Sequence, residues 1–304
     1  MTTKGKIPVT IITGFLGAGK TTFINGILKN NSELKFALVE NEFGEVAIDS
    51  KLIKGVEASR MFELKNGCIC CTISNEYELA LVELAEKFPD IDHLLIETTG
   101  IADPAPVIRP FFADHHLRNL FHYNGTVCLV DAQNYHRYPA KRIAWKQMAI
   151  ADLVVITKAE NFDEEQKRSI ADETSKINPL AKIELADRWE MKNFSLGEIR
   201  EKSRLIAELI PLQPMEKNIQ TQTIRFVQPL NLQTFKDWLT YNLDVYKEQV
   251  YRVKGILSFE NEPYYFVLQG VGGSFELEES DRLANGKSEL VFIGNLQKVD
   301  LVYR

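Results

Sequence analysis

Apolar and polar positions follow two different rhythms along this chain, and the change of rhythm divides it. From residue 7 to about residue 202, short apolar, β-branched runs alternate with stretches whose apolar residues recur every three to four positions. The runs at 7–13, 35–40, 93–98, 126–131, 153–157 and 182–185 predict buried strands. Between them, 76–87 and 164–177 carry the clearest helical spacing. Alternation of this kind predicts a mostly parallel sheet covered by helices on both faces. Residues 210–222 hold two prolines and little periodicity, which predicts a linker. Beyond it a strand is expected at 223–227 and an amphipathic helix at 232–247. The runs YRVKGILSF, YYFVLQGV and LVFIG predict three more strands. The expected class is α/β, residues 1–209, joined to a small α+β domain, residues 223–304, with its helix on one face of a largely antiparallel sheet.

The first strand runs into GFLGAGKTT, which matches G-x-x-x-x-G-K-[ST] at Gly14, Gly19, Lys20 and Thr21. A strand, a glycine loop and a helix together make a phosphate cradle. Gly14, Gly17 and Gly19 allow backbone conformations that a Cβ would forbid. Successive N–H groups from Gly17, Ala18, Gly19, Lys20, Thr21 and Thr22 then face phosphate oxygens at a helix N-terminus. Lys20 adds a charge near the β- and γ-phosphates, and the Thr21 hydroxyl is placed to ligate Mg²⁺. This makes the first domain a P-loop NTPase domain.

Two later segments extend the nucleotide reading. HLLIETTG supplies Glu97 at the end of an apolar strand, where an acidic residue helps to hold Mg²⁺. Gly100 follows, with an N–H suited to a γ-phosphate and to ordering a switch loop. LVVITKAE ends another buried strand on Thr157, Lys158, Ala159 and Glu160. Compared with the guanine-reading pattern N-K-x-D, Thr157 replaces Asn, and Glu160 is one methylene longer than Asp. The context still favours guanine, with the Lys158 stem on the base and Glu160 accepting from its N–H groups.

Cys68, Cys70 and Cys71 fall within four residues, in GCICC. Three thiols so close are not a disulfide framework. Metal binding is the favoured use and redox chemistry the alternative. Glu40, Glu42 and Glu45 in VENEFGE are nearby carboxylates that would complete a ligand set for a borderline-soft metal. His115 and His116, after a helix expected at 104–112, are further candidates, although such histidines are more often simply exposed. Cys128 lies inside an apolar strand and is expected in the core.

Composition adds exclusions. The chain has 304 residues and a net charge of -6, without a dense basic run, so a nucleic-acid surface is not expected. Lys4 and Lys6 before an apolar stretch superficially resemble a secretory leader, but that stretch is already the strand feeding the phosphate loop. No apolar stretch reaches membrane-spanning length, and a cytoplasmic protein is expected.

Taken in order, GFLGAGKTT, ENEFGE, GCICC, IETTGIADP, LVDA and ITKAE resemble the CobW-type metallochaperone GTPases, relatives of UreG and HypB. YRVKGIL, LQGV and LVFIG resemble the CobW C-terminal domain, so the likeness covers almost the whole chain. The resemblance implies a slow GTPase whose GTP and GDP states differ in metal affinity. It implies phosphate and Mg²⁺ binding by Gly17 to Thr22, γ-phosphate sensing by Glu97 and Gly100, and guanine contacts from Thr157, Lys158 and Glu160. It further implies Zn²⁺, or Co²⁺ or Ni²⁺, on Cys68, Cys70 and Cys71 with help from Glu40 and Glu45. A metal-requiring client protein is the implied partner, and a homodimer is an open arrangement. Two other classes stay open at this point. One is a P-loop kinase for a small molecule. The other is a non-catalytic zinc-binding or sensing protein that uses nucleotide structurally.

Overall fold

A computed structural model describes residues 5–40, 75–137, 141–186, 196, 197, 199 and 219–303. Its first sheet has six parallel strands in the order β2-β3-β1-β4-β5-β6. These are β1 Ile7–Gly14, β2 Phe36–Glu40, β3 His93–Glu97, β4 Phe121–Asp131, β5 Leu153–Thr157 and β6 Lys182–Leu185. The helices of this part are α1 Lys20–Asn30, α2 Asn75–Lys87, α3 Ala105–Ile108, α4 Pro110–Ala113, α5 His115–Leu120, α6 Lys141–Ile150 and α7 Glu164–Ile177.

Strands β1 to β5 are buried on both faces, so the sheet splits the core in two, while the edge strand β6, expected to be buried, is only partly covered because Lys182 and Glu184 alternate with its apolar residues. On one face Phe23, Ile24 and Ile27 of α1 pack on Ile12, Leu38, Leu95 and Leu129. On the other, residues of α2, α6 and α7 pack on Val9, Ile11, Val39, Ile96, Val130 and Ile156. Chain-successive strands leave β1 on opposite sides, which opens a crevice at its carboxyl end, where such sheets take ligands.

Two elements differ from expectation here. β4 begins at Phe121 rather than at 126, because a bulge opposite Val9 and Thr10 inserts Asn124, and FHYNG does not look like a strand. Buried Asn124 donates to Thr10 Oγ1 at 3.1 Å and to the Leu196 carbonyl at 2.6 Å. The helix expected at 104–112 is two short ones, α3 and α4, meeting at Arg109. Pro110 has no N–H to continue the ladder.

The second sheet is antiparallel, in the order β10-β9-β8-β11-β7, with one helix, α8 Leu232–Val245. Its strands are β7 Gln220–Phe226, β8 Val250–Leu257, β9 Tyr264–Val271, β10 Ser274–Leu283 and β11 Ser288–Gly294. Residues 220–222, expected in the linker, belong to β7 and pair with Gly294, Ile293 and Phe292. Of the rest of that expected linker, Ile219 is buried against the first domain's core and 210–218 lie outside the described residues. β10 was not expected at all, since its charged positions mask a strand whose Phe275 and Leu277 pack inward.

The second sheet is covered on both faces. Phe235, Leu239 and Leu243 of α8 cover one. The opposite face presents Tyr251, Val271 and Ile293 to the core of the first domain. A bulge beside Ile293 lets Tyr251 and Arg252 both serve this contact. At its centre lies a buried charge cluster. Asp152, at the entry to β5, takes Arg252 Nη2 and Lys254 Nζ on one oxygen, the latter at 2.8 Å. Its other oxygen accepts from Tyr123 Oη at 3.1 Å and Thr126 N at 3.0 Å.

One carboxylate facing two cations has a consequence for pH. Burial, and then Arg252, pull the Lys254 ammonium down to about 8, against the opposing pull of Asp152. An unfolded lysine titrates near 10.4. Between about 8 and about 10 the unfolded chain therefore holds more protons, and stability rises with pH in that window. Urea midpoints measured at pH 7.5 and pH 9.5 are expected to rise for the wild type. They are expected to lose that rise in Lys254→Met, and an unchanged slope in the variant would assign the effect elsewhere.

Candidate functional site

The carboxyl end of β1 delivers the chain into the phosphate loop. Gly14 sits at φ 139°, and a Cβ there would lie 2.4 Å from the Leu129 carbonyl oxygen, so only glycine fits the close approach to β4. Gly17 and Gly19 adopt φ of 75° and 93°, the left-handed turn that brings successive N–H groups to one side. α1 then starts at Lys20 with no side-chain cap and no acidic residue in its first turn. By contrast, Asp163 caps α7 and Asn231 caps α8. The uncapped first-turn N–H groups of α1 and its dipole therefore face the crevice.

Lys20 is folded into the loop. Its Nζ donates to the Gly14 carbonyl at 3.2 Å and lies 4.0 Å from Glu97 Oε1. Burial lowers its pKa, while Glu97 pulls the other way. Glu97 ends β3 in register with Ile12 of β1, and Thr98 Oγ1 donates to Thr13 Oγ1 at 2.9 Å, locking the two strand ends together. Thr21 is half-buried in the first turn of α1, and Thr22 is exposed. Gly100 presses on the loop, for a Cβ there would stand 2.6 Å from Leu16 N. The residues expected at phosphate, Mg²⁺ and γ-phosphate thus converge on one crevice, and the donor set fits an Mg²⁺ nucleotide: a hydroxyl, a carboxylate, a lysine and bare N–H groups.

The β5 segment, expected at the guanine base, also bonds to the phosphate loop. Buried Thr157 donates from Oγ1 to the Ala18 carbonyl at 2.9 Å. Lys158, at φ 58°, donates to the Gly17 carbonyl at 2.6 Å and pairs with Asp131 at 2.8 Å. Both side chains brace the phosphate loop, and Glu160, the third residue expected at the base, is exposed. Asp131 is the residue that sequence reasoning missed here. It ends the apolar strand β4 and is 1% exposed, and its carboxylate also takes Gln133 N and the Asn134 amide. A carboxylate closing a fully buried strand was the available signal.

Residues 8–184 match the family described as CobW/HypB/UreG, nucleotide-binding domain, and residues 219–302 match the cobalamin synthesis protein cobW C-terminal domain. The chain belongs to the CobW family. Zinc chaperone YjiA of Escherichia coli strain K12 is 32% identical over 307 residues, spanning 95% of this chain and 94% of that protein. Zinc-regulated GTPase metalloprotein activator 1 of Schizosaccharomyces pombe is 28% identical, spanning 96% of this chain and 84% of its own. The Zn(II)-bound YjiA GTPase from E. coli superposes with a TM-score of 0.68 at 27% identity, over 96% of this chain and 95% of that one.

Within this CobW-family chain, Cys68, Cys70, Cys71 and Glu45 lie outside the described residues, as does the Glu40 side chain. The Glu40 backbone is described: it ends β2 in register with Glu97. Among the described residues no three His, Cys, Asp or Glu side chains cluster as a metal site. His115 and His116 are exposed on α5. Cys128 is buried, and burial pushes its thiol up to about 12, which makes it inert. No helix among the described residues is long and apolar enough to cross a membrane.

Proposed function

We infer that this protein is a slow GTPase that carries a transition metal, zinc in the first instance, and uses its nucleotide state to time delivery to a client metalloprotein. The observation that carries the reading is the register of three strand ends. Glu40 pairs with Glu97, and Glu97 pairs with Ile12, which leads into the phosphate loop. Neighbouring strands lie about 4.8 Å apart. A ligand-bearing strand end therefore adjoins the nucleotide crevice directly. The names of the relatives, zinc chaperone and zinc-regulated GTPase metalloprotein activator, support the same assignment.

In this reading Lys20 and the N–H groups of Gly17 to Thr22 bind the β- and γ-phosphates. Thr21 and Glu97 hold Mg²⁺, which neutralises charge on the phosphate oxygens. The Gly100 N–H meets the γ-phosphate, and Thr157 and Lys158 keep the loop in shape while Glu160 accepts from guanine. Cys68, Cys70 and Cys71 take the metal with Glu40 and Glu45. Phosphoryl transfer needs positioning and charge more than covalent chemistry, and no glutamine directly follows Gly100, so turnover is slow. Residues 1–209 form the GTPase domain, and the linker from 210 ends where β7 begins. The setting is the cytoplasm.

Coupling between the sites is reciprocal, so metal changes nucleotide affinity by the factor by which nucleotide changes metal affinity. Phosphate release from GTP and from ATP, with and without one equivalent of Zn²⁺, tests this on wild type and Cys70→Ala. GTP is expected to be the better substrate, and zinc is expected to change its rate in the wild type alone. A zinc response that survives in Cys70→Ala, or none in either protein, would sink the coupled reading.

A further inference from the structure

The chain leaving Gly100 is held from outside by a helix that no motif picks out. Gln147 of α6 is fully buried, and its Nε2 donates to the Gly100 carbonyl at 3.3 Å and to the Ala102 carbonyl at 3.0 Å. Its Oε1 is buried with no hydrogen-bond partner among the described residues. An unsatisfied buried oxygen costs about 1–3 kcal/mol, a cost set against the two bonds that Nε2 makes to the segment's carbonyls. The neighbouring Lys146 pairs with Asp103 at 2.6 Å. The other oxygen of Asp103 accepts from Ala105 N at 3.0 Å and so starts α3.

The same residues reach the second domain. Lys146 Nζ stands 4.9 Å over the Tyr251 ring in β8. Ala105 abuts the β9–β10 turn, where a Cβ on Gly272 would come within 3.0 Å of the Ala105 Cβ. The C-terminal sheet therefore rests on the two helices, α3 and α6, that grip the segment from Gly100 to Asp103.

We propose that Gln147 and Lys146 are positioning residues that hold the Gly100–Asp103 segment for GTP hydrolysis and pass its position to the C-terminal sheet. This rests on the GTPase reading above, in which the Gly100 N–H meets the γ-phosphate. Gln147 fixes the backbone just after that N–H, so its loss disturbs the step that needs the γ-phosphate and spares GDP. Lys146 joins the segment and β8 through a single ammonium, an ion pair on one side and a ring face on the other. Any movement of the segment with nucleotide state is thereby felt at β8, and docking of a partner on the C-terminal domain feeds back on hydrolysis by the same linkage.

The full-length chain tests this. Gln147→Leu keeps the volume and removes both donors. It is expected to lower kcat for GTP roughly tenfold, the effect of losing about 1.4 kcal/mol, with the GDP Kd held within about twofold. In the wild type, amide hydrogen exchange across β8 is expected to differ between GDP and a non-hydrolysable GTP analogue. That difference is expected to vanish in Lys146→Met and to persist in Lys146→Arg. An unchanged kcat in Gln147→Leu overturns the proposal. So does a fall in kcat, GDP affinity and Tm together, which marks a structural residue only. A β8 exchange difference that is absent in the wild type, or intact in Lys146→Met, overturns the relay. If wild type hydrolyses no GTP, the function itself falls and this proposal with it. If wild type hydrolyses GTP and the variants match it, the function stands and only this proposal falls.

Discussion

Lys20→Ala is expected to lower GTP turnover by roughly 10²–10³-fold while leaving the protein folded. The Nζ of Lys20 sits inside the phosphate loop, 3.2 Å from the Gly14 carbonyl and 4.0 Å from Glu97. It is the one side-chain cation that the motif places at the β- and γ-phosphates, where charge develops on transfer. Alanine preserves the start of α1 but leaves those oxygens to N–H groups and Mg²⁺ alone. Stability is expected to change little, because burial already disfavours the charged lysine and alanine removes that cost. Arginine is not expected to rescue, since its planar fork cannot replace a compact ammonium turned back onto the loop. Steady-state phosphate release checks the rate, and thermal unfolding checks the fold. Turnover within fivefold of the wild type would place phosphoryl transfer outside this crevice.

What the chain discloses before folding depends on how local each signal is. β5 and β6 and α7 appear at their expected bounds because each is specified by its own residues: a continuous apolar run for β5, polar–apolar alternation in KIEL for β6, and a 3.6-residue period with an Asp163–Gln166 capping box for the helix. β10 and the first half of β4 stayed hidden because neighbours, not their own patterns, make them strands. Glu276 and Glu278 stand in β10 beside Gln269 and Val267 of β9, and Asn124 is a bulge residue stabilised by Thr10 and Leu196. Both are cases where tertiary context outweighs propensity.

The site divides in the same way. The phosphate loop was legible because its chemistry is carried by backbone, and glycine spacing reports backbone directly. Glu97 and Gly100 followed from the strand that precedes them. Thr157 and Lys158 close a strand that the sequence announces, but their bonds to Ala18 and Gly17 cross 139 and 141 positions of sequence, and no local pattern announces such a partner. Asp131, Lys146 and Gln147 share that fate. Each acts on a loop from a different element, so the role exists only after the strands are ordered.

Asp152→Ala is expected to be the most destabilising single change in the interface, costing about 3–5 kcal/mol. Asp152, Arg252 and Lys254 are each 4% exposed or less, and the pairs join residues 100 and 102 positions apart across the two sheets. Arg252 Nε and Nη1 already lack partners among the described residues, which offer the cations no spare acceptor once the carboxylate is gone. Tyr123 and Thr126 would lose their acceptor as well. In the native cluster the cations hold the Asp152 carboxyl down to about 2 despite its burial. Its depressed pKa means that this contribution is present above about pH 4 and is lost as the pH falls toward 2. Against a total stability of about 5–15 kcal/mol, the substitution removes a large share, with a Tm drop on the order of 10 °C. The counterpart replaces all three charges at once, Asp152→Ala with Arg252→Met and Lys254→Met. It is expected to recover most of the loss, because the penalty lies in unpaired buried charge rather than in missing contacts. Calorimetry on the single and triple variants separates the two causes. A single variant within about 1 kcal/mol of the wild type would show that the cations reach water when Asp152 is absent, and that the two domains are not held together by this cluster.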